Sequence, residues 1–163
     1  MGFIMLRLKI RDGKKSDAQA ICDMAAALSA HEGVADPKFT MEDYRKYGFG
    51  RKQQFKTLVA EFSEKVVGYL IFCDSFHIGI GTPGLNILDL FVDNSFRRMG
   101  VGKKLFATLS SYCIRNEGTW ITWQCQPKNE SALHFYRAIG GRQYVALDFE
   151  LADNDLVRLA KKV

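Results

Sequence analysis

The 163-residue sequence has few of the residues that mark a metal site, a disulfide framework or a low-complexity chain. It contains three prolines, and its 14 glycines follow no period, which excludes collagen-like and low-complexity chains. Its three histidines are scattered and its cysteines form no Cys-x-x-Cys pair, so we expect no metal site. The cysteines, each among apolar neighbours and expected to be buried free thiols, are Cys22, Cys73, Cys113 and Cys125.

The sequence also lacks an apolar run long enough to span a membrane. The apolar residues 1–10 are too short a stretch and are interrupted by Arg7 and Lys9, and their charge lies at the wrong end for a secretory signal. Leu6 stands where a myristoylation signal requires Ser or Thr. We therefore expect a cytoplasmic protein with no membrane partner.

The overall composition is that of a folded protein: 47% of residues are hydrophobic, 12% aromatic and 25% charged. This balance excludes an intrinsically disordered chain, and the length predicts a single domain over residues 1–163. The net charge of +5 is compatible with three kinds of anionic partner: a nucleic acid, a membrane surface or a small anionic ligand.

Hydrophobic periodicity predicts the element order β-α-α-β-β-β-α-β-α-β-α. Because three strands follow one another, a mixed α/β (α+β) fold is predicted rather than a doubly wound parallel sheet. The segment 75–84 is glycine-rich and is predicted to be irregular. The predicted strands are 6–10, 55–61, 65–72, 85–92, 119–125 and 143–151, and the predicted helices are 16–30, 40–47, 100–116, 129–139 and 153–162.

The most informative segment is a basic, glycine-containing loop between the apolar strand 85–92 and the helix 100–116. Gly100 and Gly102 allow close backbone approach, and the first turn of a helix leaves amides without partners, so an anion site for phosphate or pyrophosphate is predicted. The loop matches neither a dinucleotide fingerprint, because Leu105 replaces the third glycine, nor a P-loop, because Lys104 replaces Ser or Thr.

The positive charge is concentrated at this loop. Removing its four basic residues from the count leaves a net charge of +1, so the excess is local and a compact cluster does not indicate a nucleic acid partner. These four residues are Arg97, Arg98, Lys103 and Lys104.

Two motifs together resemble the GNAT N-acetyltransferase superfamily. Arg97-x-x-Gly100-x-Gly102 after a Leu-Phe-Val strand is similar to its acetyl-CoA loop, and Asn129-x-x-Ala132-x-x-x-Tyr136-x-x-x-Gly140 is similar to its second cofactor motif. The element order is similar over nearly the whole chain, which implies a mostly antiparallel sheet. Within the superfamily, segments 47–50, 58–61 and 88–92 resemble the diamine (spermidine/spermine-type) acetyltransferases.

The resemblance implies direct transfer of acetyl from the cosubstrate acetyl-CoA to a primary amine of a small, diamine-like or polyamine-like molecule. The strand at 90–92 is expected to bulge and to splay from the strand 119–125, which frees backbone groups for the pantetheine arm. Tyr136 is expected to protonate the departing thiolate. The residues that the resemblance assigns to acetyl-CoA are Leu90, Phe91, Val92, Arg97, Arg98, Met99, Gly100, Val101, Gly102, Lys103, Asn129, Ser131 and Tyr136.

The proton acceptor and the substrate residues are less well marked. Leu88 stands where diamine acetyltransferases carry a glutamate base. Asp89 is adjacent but is expected to point to the opposite face of the strand, as a buried structural carboxylate, and the candidates that substitute for the base are a water chain and Glu32. By position, Glu32, Asp36 and Asp74 resemble the acidic, substrate-binding patch of that subgroup, although they are equally consistent with solvated loop acids.

Several alternatives stay open at this point. A protein or peptide N-acetyltransferase and an aminoglycoside-type enzyme fit the same motifs. A catalytically silent, CoA-sensing GNAT domain is a non-enzymatic alternative, favoured by the loss of the glutamate at Leu88 and opposed by the retention of Tyr136. A homodimer is also expected, with an edge strand and the C-terminal helix as its interface.

Overall fold

The computed structural model describes residues 8–34 and 38–162, and of His31 the backbone only. The chain forms two compact units, which are divided between Gln124 and Cys125. The first unit contains β1 (Leu8–Asp12), α1 (Ala18–Glu32), α2 (Met41–Tyr47), β2 (Lys56–Phe62), β3 (Lys65–His77), β4 (Thr82–Val92), α3 (Val101–Arg115) and β5 (Ile121–Thr122). The second unit contains α4 (Glu130–Ala138) and α5 (Asp153–Ala160).

The first unit is built on one five-stranded sheet in the order β1-β2-β3-β4-β5. The first three pairings are antiparallel and follow the chain directly, whereas β4 and β5 pair in parallel because α3 connects them. The mixed, mostly antiparallel α/β fold predicted from the sequence is therefore confirmed.

Helices pack on both faces of this sheet. Alternate residues of the central strands, among them Val59, Tyr69 and Ile71, join the buried residues of α1 and α2 in one hydrophobic cluster. The opposite face carries α3, whose Tyr112 makes an edge-to-face contact with Phe72. The buried residues of α3 are Val101, Leu105, Phe106, Leu109 and Cys113, at helical spacing.

A partly buried ion cluster joins β1 to the start of α1. Arg11 donates to both carboxylate oxygens of Asp17, at 2.8 and 2.9 Å, and to Glu61 on β2 at 2.6 Å. Asp17 also accepts the backbone amide of Lys14 at 2.7 Å, which fixes the turn that enters α1. The guanidinium therefore neutralises two carboxylates at the edge of the core.

Two predicted strand boundaries were wrong on the β3–β4 hairpin. The segment 75–84 is not irregular, because β3 continues to His77 and β4 begins at Thr82, with Phe76 opposite Pro83. Cross-strand pairing satisfies the backbone there. Gly79 and Gly81 lie in the turn, where Gly81 takes a φ of +66°, whereas Gly84 lies within β4 opposite Ser75.

The predictions of the two strands nearest the C-terminus were also wrong: one strand is shorter than predicted, and the other is not present in the described structure. Of the strand predicted at 119–125, only Ile121 and Thr122 pair with β4. The strand predicted at 143–151 does not form in the described structure, because a strand needs a neighbour to satisfy its backbone and no strand pairs with this segment. The observed element order therefore lacks the last strand of the prediction.

The remaining elements lie close to their predicted positions. Thr40 caps α2 as predicted, since its hydroxyl accepts the amide of Asp43 at 3.1 Å. Gly140, with a φ of +91°, ends α4. Within the described ranges, no helix has the length and apolarity needed to cross a membrane.

Candidate active site

The strand β4 contains a bulge in the segment that precedes the basic loop. On β3, Ile71 pairs with Asp89 and the next residue, Phe72, pairs with Ile87. Leu88 is therefore the extra residue of a β-bulge, and its side chain is 51% exposed. The bulge interrupts the alternation of faces along β4.

The opposite edge of β4 is open next to this bulge. β5 pairs with β4 only at Leu85 and Asn86, so among the described strands residues 87–92 have a partner on the β3 side alone. A bulge disrupts the ladder and increases the local twist, which explains why the β4–β5 pairing stops there. The bulge therefore lies at Leu88, before the predicted position at 90–92, while β4 separates from β5 as predicted. Backbone groups of β4 after Asn86 have no strand partner on that side among the described strands.

The loop after β4 is shaped by two residues in the left-handed region. Asp93 accepts the amide of Ser95 at 2.9 Å and begins a short turn. Arg98 then takes a φ of +63° and Gly100 a φ of +80°. A left-handed conformation is costly for a residue such as Arg98 and is characteristic of functional loops, in which successive amides turn toward one side.

The loop leads directly into the amino terminus of α3. The first bond of the helix runs from the Lys104 amide to the Gly100 carbonyl, at 3.0 Å, so the amides of 101–103 precede the helical ladder. The side chains of Arg98, Lys103 and Lys104 are exposed around this end. Free amides, the helix dipole and three cations together make this end of the helix suited to an anion such as pyrophosphate.

Arg97 contributes to this loop in a different way from its basic neighbours. Its Nε donates to the carbonyl of Val92 at 3.0 Å, and its guanidinium lies 5.7 Å from the centroid of the Phe91 ring. The Arg97 side chain therefore connects the loop to the last residues of β4, and these contacts stabilise the conformation of the loop and of the strand end.

The predicted substrate carboxylates do not lie together. Glu32 ends α1, on the sheet face that carries Tyr69 and Ile71. Asp74, by contrast, forms a 2.6 Å ion pair with Lys56, which also donates to Tyr112 of α3 on the other face. The third, Asp36, lies outside the described residues.

One carboxylate on the α1 face has no ion pair among the described residues. Asp89 accepts the Tyr69 hydroxyl at 2.6 Å and the Leu90 amide at 2.9 Å. Burial raises the pKa of Asp89, the two hydrogen bonds lower it, and the charge of Glu32 raises it, with a net increase. Burial and the neighbouring Asp89 also raise the pKa of Tyr69, which therefore stays a donor.

The second unit carries the other predicted motif on α4. Asn129 caps this helix, since its Oδ1 accepts the amide of Ala132 at 3.2 Å, and Ser131 is exposed in the first turn. Tyr136 lies two turns after Asn129, so the two residues share one side of the helix. The Tyr136 ring is half-buried and packs against Phe135 with centroids 5.5 Å apart.

Across 8–34 and 38–162, no group of three or more His, Cys, Asp and Glu side chains is arranged to hold a metal ion. None of the described cysteines forms a disulfide; Cys113 is buried as expected, whereas Cys22, Cys73 and Cys125 are only half-buried.

The pairing of Asp89 with Tyr69 was missed by the sequence analysis. The two residues are 20 positions apart and meet only because of the β3–β4 register. A partial signal was present, since Asp89 is the one charge in an apolar strand. The bulge at Leu88, however, leaves no mark in the sequence.

Similarity to known proteins agrees with this geometry. Residues 21–140 match the acetyltransferase (GNAT) family. Among solved structures, an integron cassette protein of Vibrio cholerae, VCH_CASS6, is 22% identical with a TM-score of 0.78, over 94% of this chain and 98% of that one. An aminoglycoside acetyltransferase from a soil metagenome, meta-AAC0020, solved with sisomicin, is 23% identical with a TM-score of 0.72, over 89% and 97%.

A third solved structure is the ribosomal-protein-alanine N-acetyltransferase of Brucella melitensis biovar Abortus 2308. It is 16% identical with a TM-score of 0.73, over 90% of this chain and 99% of that one. At these identities the structures establish the fold, and the family match extends over most of the chain. The chain belongs to the GNAT acetyltransferase family and is an acetyl-CoA-dependent N-acetyltransferase.

The residues behind the narrower resemblance to diamine acetyltransferases serve mainly in packing. Leu58, Val59 and Ala60 are buried in the sheet. Phe49 makes an edge-to-face contact with Tyr44 in the α1–α2 cluster. These positions build the core of this chain and do not identify the acetyl acceptor.

Proposed function

We propose that this enzyme acetylates a primary amine of a small cationic molecule, a diamine or polyamine, by direct transfer from acetyl-CoA. The observation that carries the proposal is the pair of carboxylates Asp89 and Glu32 on the α1 side of β4, neither of which forms an ion pair with a described residue, so the potential there is negative. Such a potential attracts an ammonium group and repels anionic acceptors.

In this proposal the chain's own backbone holds the donor, which supplies an acetyl thioester. The amides of 98–103 bind its pyrophosphate, and the basic side chains Arg98 and Lys103 add charge. The backbone of Leu90, Phe91 and Val92 binds the pantetheine arm and aligns the thioester carbonyl. The left-handed loop and the open edge of β4 suit both roles.

The motif on α4 supplies the remaining roles. The cap bond of Asn129 uses its Oδ1, which leaves the amide nitrogen as a donor to the cofactor arm, and Ser131 offers a hydroxyl in the same turn. We assign Tyr136 as the acid that protonates the departing thiolate. The family match includes α4, which supports this assignment and supports treating residues 1–163 as one catalytic domain.

Of the three predicted substrate carboxylates, Glu32 is the one that this proposal uses. The charge of Asp74 is already offset by Lys56, so we assign that pair to packing against α3.

An aminoglycoside is the second candidate acceptor. It is also a polycationic amine, and meta-AAC0020, one of the similar structures, is named for that substrate. A protein amino terminus is a weaker candidate, because the carboxylates of the α1 face favour several positive charges over one.

The experiment has two stages. Acetyl-CoA should raise the melting temperature of the protein, and release of free CoA thiol is then followed with diamines, polyamines, aminoglycosides and an Ala-initiated peptide. Turnover highest with diamines and polyamines supports the proposal. Turnover restricted to aminoglycosides or to the peptide contradicts a diamine or polyamine acceptor and identifies the other compound as the substrate. Stabilisation by acetyl-CoA without thiol release from any amine indicates a CoA-sensing domain.

We also propose a cytoplasmic homodimer. Cysteines without disulfides, as in the described residues, suit a reducing compartment. In the segment 143–151, Val145, Leu147 and Phe149 alternate with smaller or polar residues and are 99%, 83% and 93% exposed. An antiparallel pair of these segments about a twofold axis at Ala146 would bring Arg142 opposite Glu150 and bury the apolar side chains.

A further inference from the structure

Acetyl transfer to an amine requires a group that removes a proton. An alkylamine with a pKa of about 10 is almost entirely an ammonium ion at pH 7, and an ammonium ion has no lone pair for attack. The place where diamine acetyltransferases carry a glutamate is Leu88, which has no titratable group. If the enzyme acts on such an amine, as proposed above, the acceptor of the proton must lie elsewhere.

The bulge determines which face of the sheet the next residue joins. Asp89 stays in register with Ile71, and hence on the face covered by α1, whereas Ile87 pairs with Phe72, which faces α3. Leu88 is pushed outward between them. Asp89 is therefore the first residue after the bulge, and directly precedes the backbone segment 90–92.

Asp89 differs from the carboxylates of the first unit that form ion pairs. Asp17 and Glu61 are neutralised by Arg11, and Asp74 by Lys56. Asp89 is half-buried and has no Lys, Arg or His within ion-pair distance among the residues described. Placing a carboxylate there without a cation carries a desolvation cost that a structural role would not require.

The groups around Asp89 come from two neighbouring elements. On β3, the Tyr69 hydroxyl donates at 2.6 Å and holds one oxygen, while the Leu90 amide of its own strand holds the other at 2.9 Å. From α1, the charge of Glu32 raises the pKa of both Asp89 and Tyr69, and the charge of Cys22 raises the pKa of Tyr69. A carboxylate made more basic by burial and held by a tyrosine is a suitable general base.

We propose that Asp89 accepts the proton of the substrate ammonium in the transfer reaction, oriented by Tyr69 and assisted by Glu32, which attracts the cation. The inference rests on the proposed function. Tyr69 and Glu32 are positioning residues here, whereas Asp89 is the group that contacts the reacting amine.

The reaction balances as follows. One ammonium proton moves to an Asp89 oxygen and later to solvent, and the freed lone pair forms the C–N bond to the acetyl carbonyl carbon. The C–S bond breaks with its electron pair on sulfur, which takes a proton from Tyr136. The proton that the amide nitrogen releases restores Tyr136, so the products are the N-acetyl amine, the CoA thiol and one free proton.

The first test replaces the carboxylate with its isosteric amide. Asp89→Asn should lower kcat/KM for the amine about 100-fold and abolish the acidic limb of its pH profile. Stabilisation by acetyl-CoA should be unchanged, which shows that the variant folds. Asp74→Asn, which removes a carboxylate paired with Lys56, is the matched control and should keep the limb. Retention of both the rate and the limb in Asp89→Asn overturns the proposal.

Two further variants should move the acidic limb in opposite directions. Tyr69→Phe removes a hydrogen bond that favours the carboxylate, so the pKa of Asp89 rises and the limb moves to higher pH. Glu32→Gln removes a like charge, so the pKa falls and the limb moves to lower pH. A merely structural role for Asp89 predicts no such opposed shifts.

The same shifts can be measured without turnover. Carboxyl carbon resonances of ¹³C-labelled aspartate should show Asp89 titrating above an ordinary aspartate in the wild type, higher in Tyr69→Phe and lower in Glu32→Gln. An ordinary or depressed pKa for Asp89 overturns the proposal even if no acceptor is found. If instead the wild type acetylates no amine while Asp89 titrates as expected, the proposed acceptor fails and the basic carboxylate stands.

Discussion

At the scale of single residues, the protein uses its carboxylates in two ways. Asp17 and Glu61 are paired with Arg11 and contribute to the fold, whereas Asp89 is held by neutral donors and keeps its basicity. Arg11 donates to Asp17, which lowers the pKa of that carboxyl despite the opposing effect of burial. A paired carboxylate is a poor proton acceptor, and an unpaired one contributes little to stability.

Arg11→Ala should destabilise the protein by about 3 kcal/mol, because it leaves two partly buried carboxylates without their cation. Urea unfolding followed by circular dichroism measures the change. Arg158→Ala is the control, since it breaks an exposed pair with Asp155 and should cost less than about 0.5 kcal/mol. Equal effects in the two variants would contradict a specific role for the cluster at β1.

Tyr136→Phe should reduce kcat by about 100-fold and leave KM for the amine and stabilisation by acetyl-CoA almost unchanged, because only proton donation is lost. Steady-state thiol release and thermal shift measure the two effects. Tyr144→Phe removes the hydroxyl of an exposed tyrosine in the same unit and should be neutral. Wild-type turnover in Tyr136→Phe would end the assignment of this residue as the acid.

At the scale of elements, the geometry of the proposed anion site depends on how β4 ends and how α3 begins. The bulge stops the pairing with β5 after Asn86, and the left-handed residues Arg98 and Gly100 turn the chain into the helix. Buried residues on either side, Phe91 of β4 and Val101 of α3, anchor the loop at both ends.

Gly100→Ala tests the loop, because a Cβ would meet no atom there but the φ of +80° is costly for alanine. It should lose about 1 kcal/mol of stability and raise the Kd for acetyl-CoA about tenfold, as amides move out of line. Isothermal titration calorimetry measures the affinity.

Gly81→Ala is the matched control for this prediction. Gly81 also has a positive φ and open space, but it lies in the β3–β4 turn, roughly 33 Å along β4 from its other end. It should show a similar loss of stability with an unchanged Kd. An unchanged Kd in Gly100→Ala as well would show that the loop does not bind the cosubstrate.

At the scale of the whole molecule, the two units differ in how much they bury. The first unit has a continuous core on both faces of its sheet, whereas no described residue of the second unit is buried. Several large apolar side chains of the second unit are exposed, and an exposed apolar patch of this kind is typical of a surface that another chain covers.

If a second copy covers this surface, the wild type should have twice the 18.5-kDa chain mass by light scattering. Leu147→Asp should convert it to the monomer, because it places a charge in the proposed apolar pairing. Ile78→Asp, at an equally exposed residue of the first unit, should leave the dimer intact. A monomeric wild type at micromolar concentration would contradict the dimer.

Sequence patterns were most reliable where local interactions decide the outcome. The cap at Thr40, the end of α4 at Gly140 and the glycine-rich entry to α3 are short-range features, and each was predicted correctly. The strand at 143–151 was predicted from its alternation alone, and it does not form because alternation cannot supply the neighbouring strand that its hydrogen bonds require.

By itself, the sequence determined the class of fold, the position of the basic loop before α3 and the family, because periodicity, glycines and basic residues act over a few positions along the chain. Only the tertiary structure decided which carboxylates are neutralised by a cation and which are not. The β3–β4 register brings Tyr69 to Asp89, and the distance between Lys56 and Asp74 decides that Asp74 is neutralised. These pairings join residues about 20 positions apart, and they depend on register and on a single bulge that no local pattern specifies.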